Sequence, residues 1–288
     1  MRWTSRRENF RSVLSDDRCV HPGSVFDPIS ARIAEDLGFE VGMFAGSVAS
    51  MTVLGAPDLI VLTLSEFAGQ AHRISRASEL PLLVDADHGY GNALNVKRTV
   101  EELEMAGVAA LSIEDTELPQ PYGAEGKTRL ISVDEGAGKM RAAIEGRRDK
   151  NLVVAGRTSA PRVTDVDDAV DRVRAYESAG VDAVFLIGVS THEELDKLSD
   201  AVSVPIILGG AGSDVMDLDY LASRGVRICL QGHQPFTAAV QAVHDTLKSL
   251  REGASPRDLV DKASSGLLKG LTRENDYQSW MKDFLGKG

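Results

Sequence analysis

Cysteine is scarce in this chain. Cys19 and Cys229 are the two among 288 residues, they lie far apart, and they fit no metal or redox spacing. Both read as small buried hydrophobes, which excludes a disulfide framework and a thiol metal site. Long apolar runs are missing as well: no uninterrupted stretch approaches membrane-spanning length. The charged start, Met1 to Arg7, is followed by no apolar segment of the kind that forms a signal peptide. A cytoplasmic protein with no membrane partner is therefore expected. Positive charge is in deficit, with 32 Lys and Arg against 43 Asp and Glu and a net charge of −11. That balance argues against nucleic acid or an anionic membrane as partner. It leaves an anionic substrate open, because a local metal and a few arginines reverse the sign inside a cleft. No G-x-G-x-x-G opens a helix after the first strand-like run, which weakens a dinucleotide-binding reading. No Pro/Ser-rich linker or composition break divides the chain, so one domain over residues 1–288 is expected.

What is present is an alternation. Strand-like runs fall at Val20–Val25, Val41–Ala45, Pro81–Asp85, Ala110–Glu114, Leu152–Arg157, Ala183–Ile187, Pro205–Leu208 and Arg227–Gln231. Amphipathic helical segments lie between them, among them Ser30–Leu37, Val96–Ala106 and Asp167–Ala179. Each of these three stops at a glycine (Gly38, Gly107, Gly180), the residue that tolerates the left-handed turn closing a helix. Eight β–α units in this length predict an α/β protein of the TIM-type (β/α)₈ barrel class. From Ser255 onward the pattern is helical only, and Tyr277, Trp280 and Phe284 share one face at i, i+3, i+7. That face packs either on its own barrel or on a neighbouring subunit.

In a barrel, chemistry collects where strands end at the C-terminal face. Strand 2 ends in Gly46-Ser47, with Asp58 in the loop beyond. Strand 3 ends in Asp85-Ala86-Asp87-His88, strand 4 in Glu114-Asp115, strand 5 in Arg157-Thr158 and strand 8 in Gly232-His233. Asp58, Asp85, Asp87 and Glu114 are thus expected at one mouth, where like charges repel. A hard divalent cation such as Mg²⁺ removes that conflict while using few carboxylates directly. Residues two apart in a regular strand share a face, and at the strand's end the loop can turn the second Asp into the mouth. Each residue alone has a plainer reading: a cap, a turn residue, a surface acid or a structural ion pair. Their occurrence strand end by strand end is what favours a site.

These residues, in the strings Ser24-Val25-Phe26-Asp27-Pro28-Ile29-Ser30-Ala31-Arg32, Gly46-Ser47, Gly55-Ala56-Pro57-Asp58, Asp85-Ala86-Asp87-His88-Gly89-Tyr90-Gly91-Asn92, Ile113-Glu114-Asp115 and Gly156-Arg157-Thr158, resemble the isocitrate lyase/phosphoenolpyruvate mutase superfamily over nearly the whole chain. The resemblance implies a barrel whose last helix is exchanged between subunits in a homotetramer or homodimer. It implies direct binding of Mg²⁺, or Mn²⁺ as the alternative, by Asp85. Asp58, Asp87 and Glu114 would hold the ion through water. Gly46 and Ser47 would bind substrate oxygen, and Arg157 a substrate carboxylate.

The departures narrow the expectation. The lyases' mobile loop with its Lys-Lys/Arg-Cys-Gly-His pattern is replaced by Pro119–Lys127, without Cys or His. The lyases' Glu after strand 6 and the family's Asn after strand 7 are absent, and His233 follows strand 8. This set resembles the oxaloacetate decarboxylase branch. It implies a small α-keto acid substrate and decarboxylation of oxaloacetate to pyruvate and CO₂ through an enolate stabilised by the metal, with His233, Arg157 and Ser47 in catalytic roles. Phosphonopyruvate hydrolase, phosphoenolpyruvate mutase, a methylisocitrate lyase-like activity and a metal-dependent aldolase remain the alternatives.

Overall fold

The computed structural model describes residues 3–286 apart from 125 and 261. The chain forms two compact units, Met1–His233 and Gln234–Gly288. The first contains strands β1 (Gly23–Ser24), β2 (Gly42–Phe44), β3 (Leu82–Asp85), β4 (Ala110–Glu114), β5 (Val153–Thr158), β6 (Ala183–Ile187), β7 (Ile206–Gly209) and β8 (Val226–Cys229). Its helices are α1 (Thr4–Ser15), α2 (Pro28–Asp36), α3 (Gly46–Ala49), α4 (Leu64–Ala77), α5 (Ala93–Ala106), α6 (Val133–Gly146), α7 (Ala160–Val163), α8 (Val166–Ser178), α9 (His192–Ser199) and α10 (Leu218–Ser223). The second unit holds α11 (Gln234–Arg251), α12 (Ser265–Leu271) and α13 (Glu274–Leu285). The stretch from Ser255 onward holds the helices α12 and α13, and α11 before it belongs to the same unit.

The eight strands are parallel and ordered β1 to β8. Val20 closes the ring: its N–H donates to the Arg227 carbonyl at 3.0 Å, and its carbonyl accepts from the Cys229 N–H at 2.9 Å. Pro22 has no N–H to donate, so the first strand-like run is split. Val20 pairs with β8, whereas the N–H groups of Gly23 and Val25 donate to the carbonyls of Val41, just before β2, and Met43, within it. The result is the expected (β/α)₈ barrel. All eight strand-like runs of the sequence are found as strands, within a few residues at each end.

Parallel strands covered on both faces carry apolar residues on both. Alternate residues of β3 to β7 (Leu82, Val84, Leu111, Ile113, Val154, Val184, Leu186, Leu208) pack outward in a continuous core with Phe67 and Ile74 of α4, Leu103 of α5, Met140 of α6 and Tyr176 of α8. The helices begin where short polar side chains take up their free N–H groups. Asp27, Thr63, Asn92 and Thr191 form reciprocal caps with the third helical residue. These caps explain why α2 and α5 begin earlier than the apolar pattern alone suggests. At the N-terminal end of the barrel, α1 sends Arg6, Arg7 and Arg11 to acids ahead of β3, β5 and β6: Arg6 to Glu79 at 2.6 Å, Arg7 to Asp149 at 2.8 Å and Arg11 to Asp182 at 2.9 Å.

In the second unit, α13 carries Tyr277 and Trp280 edge to face at 5.1 Å, and Tyr277, Trp280 and Phe284 are exposed. No helix of the described residues is long and apolar enough to cross a membrane.

Candidate active site

Strand register assembles the site. Asp85 on β3 stands opposite Ser112 on β4, Glu114 opposite Arg157 on β5, and Arg157 opposite Phe185 on β6. These neighbours face the barrel interior at its C-terminal end. The Ser112 hydroxyl donates to Asp85 Oδ1 at 3.2 Å. Arg157 is ion-paired through Nη1 to Asp85 and through Nη2 to Glu114, the latter at 3.0 Å, while its guanidinium lies 5.4 Å over the Phe185 ring. Its Nε is buried without a hydrogen-bond partner.

Asp87 does not follow the pleat. Its φ is +49°, in the left-handed region that non-glycine residues seldom occupy. Its N–H donates to Asp85 Oδ1 at 3.2 Å and its carbonyl accepts from the Glu114 N–H at 2.8 Å. The turn therefore swings the second Asp into the same cavity as the first. Gly46, at the start of α3, makes room for it: a Cβ there would stand 2.5 Å from Asp87 Oδ1. Lys139 of α6, itself buried, supports the turn from the outer side by donating to the His88 carbonyl at 3.0 Å.

A cavity of about 420 Å³ is lined by Ser47, Asp58, Asp85, Asp87, Glu114, Arg157 and His233, with Met43, Phe185, Ile187 and Leu230 as its apolar wall and Leu118, Pro119 and Gln120 from the loop after β4. Four carboxylates around one space disturb one another. Burial raises the Asp87 carboxyl well above the usual range, and the charges of Asp85, Glu114 and Asp58 add to the rise. Glu114 is raised chiefly by burial, with Arg157 pulling the other way. Asp58, on the exposed rim, is raised by desolvation at the cavity wall and by Asp85. Burial works against the charge on Arg157, yet Asp85 and Glu114 outweigh it and hold the guanidinium firmly cationic. On the far side, His233 Nδ1 shares a 2.9 Å hydrogen bond with the Ser24 hydroxyl, which links the first and last strand ends. Burial lowers the His233 pKa, opposed by the negative charge of Asp85.

The donor chemistry fits a hard divalent cation: four carboxylates, no thiolate, and mutual repulsion that a cation relieves. Among the described residues no three His, Cys, Asp or Glu side chains stand close enough to hold one ion together.

Residues 10–251 match the family model of phosphoenolpyruvate phosphomutase. The chain belongs to the phosphoenolpyruvate mutase family. Within this family, an oxaloacetate decarboxylase of Bradyrhizobium sp. (strain ORS 278) is 57% identical over 288 residues, covering 100% of both chains. Among solved structures, phosphoenolpyruvate phosphomutase from Streptomyces platensis subsp. rosaceus superposes with a TM-score of 0.86 at 28% identity, over 97% of this chain and 99% of the other. A phosphonopyruvate hydrolase in complex with oxalate and Mg²⁺ reaches a TM-score of 0.85 at 26% identity, over 97% and 99%. The superfamily resemblance carried by the motifs is thereby borne out.

The structure brings Ser47, Asp58, Asp85, Asp87, Glu114, Arg157 and His233 to one cavity, while Gly46 lies behind it against Asp87. Sequence reasoning did not single out Ser112, Phe185 or Leu118, quoted Ser24 only within a motif, and named Pro119 and Gln120 only as part of the loop that replaces the lyases' Cys-bearing one. Ser112 and Phe185 had a usable signal: both sit two residues or fewer from the end of a predicted strand, on the face that Glu114 and Ile187 share. Arg157 was read as a substrate ligand, and it is in addition the ion-pair partner of Asp85 and Glu114.

Proposed function

We propose that this chain decarboxylates oxaloacetate to pyruvate and CO₂ with a bound Mg²⁺, Mn²⁺ being the alternative ion. The observation that carries the reading is a cavity that brings four carboxylates and Arg157 together with His233 and the apolar side chains of Met43, Phe185, Ile187 and Leu230, with no cysteine among its lining residues. The full-length relative bearing the name oxaloacetate decarboxylase supports it.

Asp85 would hold the ion directly, with Asp58, Asp87 and Glu114 acting through waters. When bound, the ion supplies a Lewis acid that favours negative charge on a keto oxygen, worth several kcal/mol. The residues of the chain do the rest. Arg157, kept cationic and fixed by two carboxylates, offers its guanidinium to a substrate carboxylate. Ser47, at the start of α3, offers a hydroxyl and neighbouring backbone N–H groups to substrate oxygen. The apolar wall of Phe185, Ile187, Met43 and Leu230 desolvates the departing carboxylate, which favours neutral CO₂. The C3–C4 bond breaks, its electron pair passes to the C2–C3 enolate, and a proton returns to C3 to give pyruvate. His233, oriented by Ser24, is placed to deliver that proton.

The same reading includes a cytoplasmic location and self-association through the second unit. The exposed apolar faces of α11 and α13 (Val243, Leu247, Tyr277, Phe284) suit a second copy of the chain, as a homodimer or homotetramer. Sedimentation measures the assembled mass, and a monomer at micromolar concentration contradicts this part.

The test is pyruvate release from oxaloacetate by purified protein with Mg²⁺ and with chelator, after subtraction of metal-only decarboxylation. Saturable, protein-dependent and metal-dependent release is expected. A rate no greater than background rejects the reading and directs the search to phosphonopyruvate, the substrate class of the relative seen with oxalate and Mg²⁺.

A further inference from the structure

The loop between β4 and α6 carries Leu118, Pro119 and Gln120 to the cavity, and its two ends are fastened to each other. The Ile131 N–H donates to the Asp115 carbonyl at 2.9 Å, and the Glu117 N–H to the Arg129 carbonyl at 2.8 Å. Thr116 and Leu130 form an antiparallel bridge. This tie is a short, two-stranded neck, too small to be stable by itself.

What holds the neck lies on the opposite face of β4 from the site. Strand alternation sends Glu114 into the cavity and Asp115 outward. Asp115 is completely buried there. Its Oδ2 accepts from Arg172 Nη1 at 3.0 Å and from the Tyr176 hydroxyl at 2.7 Å, both on α8. The same Arg172 Nη1 donates to the Ile131 carbonyl at 2.9 Å, and its Nε to Asp168 at 2.9 Å. One buried guanidinium thus joins the outgoing end of the loop, the returning end and a long helix. Tyr176 cannot shift freely, since its ring and hydroxyl fill the space that side chains at Gly136 and Gly156 would need. None of Asp115, Arg172 and Tyr176 lines the cavity.

We infer that Arg172, with Asp115 and Tyr176, is a positioning group that clamps the neck of the 117–129 loop and thereby holds Leu118–Gln120 over the bound substrate. The clamp acts on substrate retention and not on bond cleavage: Arg172 and Tyr176 lie on α8 and hydrogen-bond to Asp115, Asp168 and Ile131, none of which lines the cavity. The inference deepens the proposed decarboxylation and rests on it for its kinetic readout.

The experiment combines steady-state kinetics on oxaloacetate with limited tryptic digestion of Arg172→Lys and Tyr176→Phe. Lysine keeps the charge but cannot reach three acceptors in the guanidinium's fixed geometry. Phenylalanine keeps the packed ring and removes one hydrogen bond, so it preserves the fold if the lysine variant does not. Arg172→Lys is expected to raise KM about tenfold and Tyr176→Phe about threefold, the scale of weakening hydrogen bonds to a charged group. In both, kcat should stay within about twofold of the parent, well inside that energy scale. Cleavage after Lys127 and Arg129 should quicken in the same order. A merely destabilised fold would lower the active fraction, and so the apparent kcat, with KM unchanged. That pattern, or unchanged loop cleavage in both variants, overturns the clamp. If the parent protein releases no pyruvate, the decarboxylase reading fails, and the digestion decides the clamp by itself.

Discussion

At the N-terminal end of the barrel, acids are matched with arginines; at the C-terminal end, four acids share one. Glu79 pairs with Arg6, Asp149 with Arg7, and Asp182 with both Arg11 and Arg147. The Asp149 carboxyl is held below the usual range there: burial pushes it upward, but hydrogen bonds from Arg7, the Asn151 N–H and Thr4 prevail. At the other end Asp58, Asp87 and Glu114 are all pushed upward, and the cavity lining contains Arg157 as its cation among the described residues. The same side-chain chemistry is satisfied internally at one end and left for a ligand at the other. This is the division of a barrel into a stabilising face and a working face, visible here as charge balance.

The contrast can be broken by single substitutions. Asp85→Ala should have the largest effect: a loss of at least about a thousandfold in kcat/KM, with metal dependence lost as well. Its cost in stability should be smaller than that of Arg7→Ala, since it removes one of several repelling charges. An active, metal-independent variant would end the site assignment. His233→Ala comes next, with turnover down about a hundredfold or more while calorimetric titration still shows Mg²⁺ binding. Unchanged turnover would take His233 out of the mechanism. At the opposite end, Arg7→Ala should leave the kcat/KM of folded protein intact and lower unfolding free energy by about 3 kcal/mol, because it strands a partly buried acid. Denaturant unfolding measures this, and a drop in activity without loss of stability would dissolve the division of labour. The smallest effect belongs to Asp149→Asn. A carboxyl with a depressed folded pKa stabilises the fold above the ordinary carboxylate range and loses that contribution as pH falls through its folded value. The variant should therefore show a shallower fall of melting temperature below about pH 4, and an unchanged slope would remove Asp149 from the balance.

Much of the working face was readable in the sequence, and little of the stabilising face. Asp85, Glu114 and Arg157 each end an apolar run, and a parallel barrel has one place for the ends of such runs. Asp87 required a further step, since it lies beyond the end of β3 in a turn, where strand alternation no longer decides which way a side chain points. The glycines around it (Gly89, Gly91) signalled a turn, but not which way the carboxylate would go. Arg6, Arg7 and Arg11 read only as a charged N-terminus. Their partners lie up to 171 residues away, and no local pattern records which acid an arginine will meet. The start of the second unit at Gln234 was invisible for a similar reason. The amphipathic pattern of α11 specifies an apolar face but not what covers it. Ser24 was part of a quoted motif, yet its hydrogen bond to His233 depends on closure of the ring.

That closure has a consequence for how the protein is made. Ser24 and His233, whose hydrogen bond joins the ends of the first and last strands, are 209 positions apart along the chain. A ribosome therefore delivers one half of this contact long before the other. Every nascent chain shorter than residue 233 lacks it, whatever strands have already paired. Any part that His233 takes in the proposed decarboxylation is therefore absent until the last strand has joined the first.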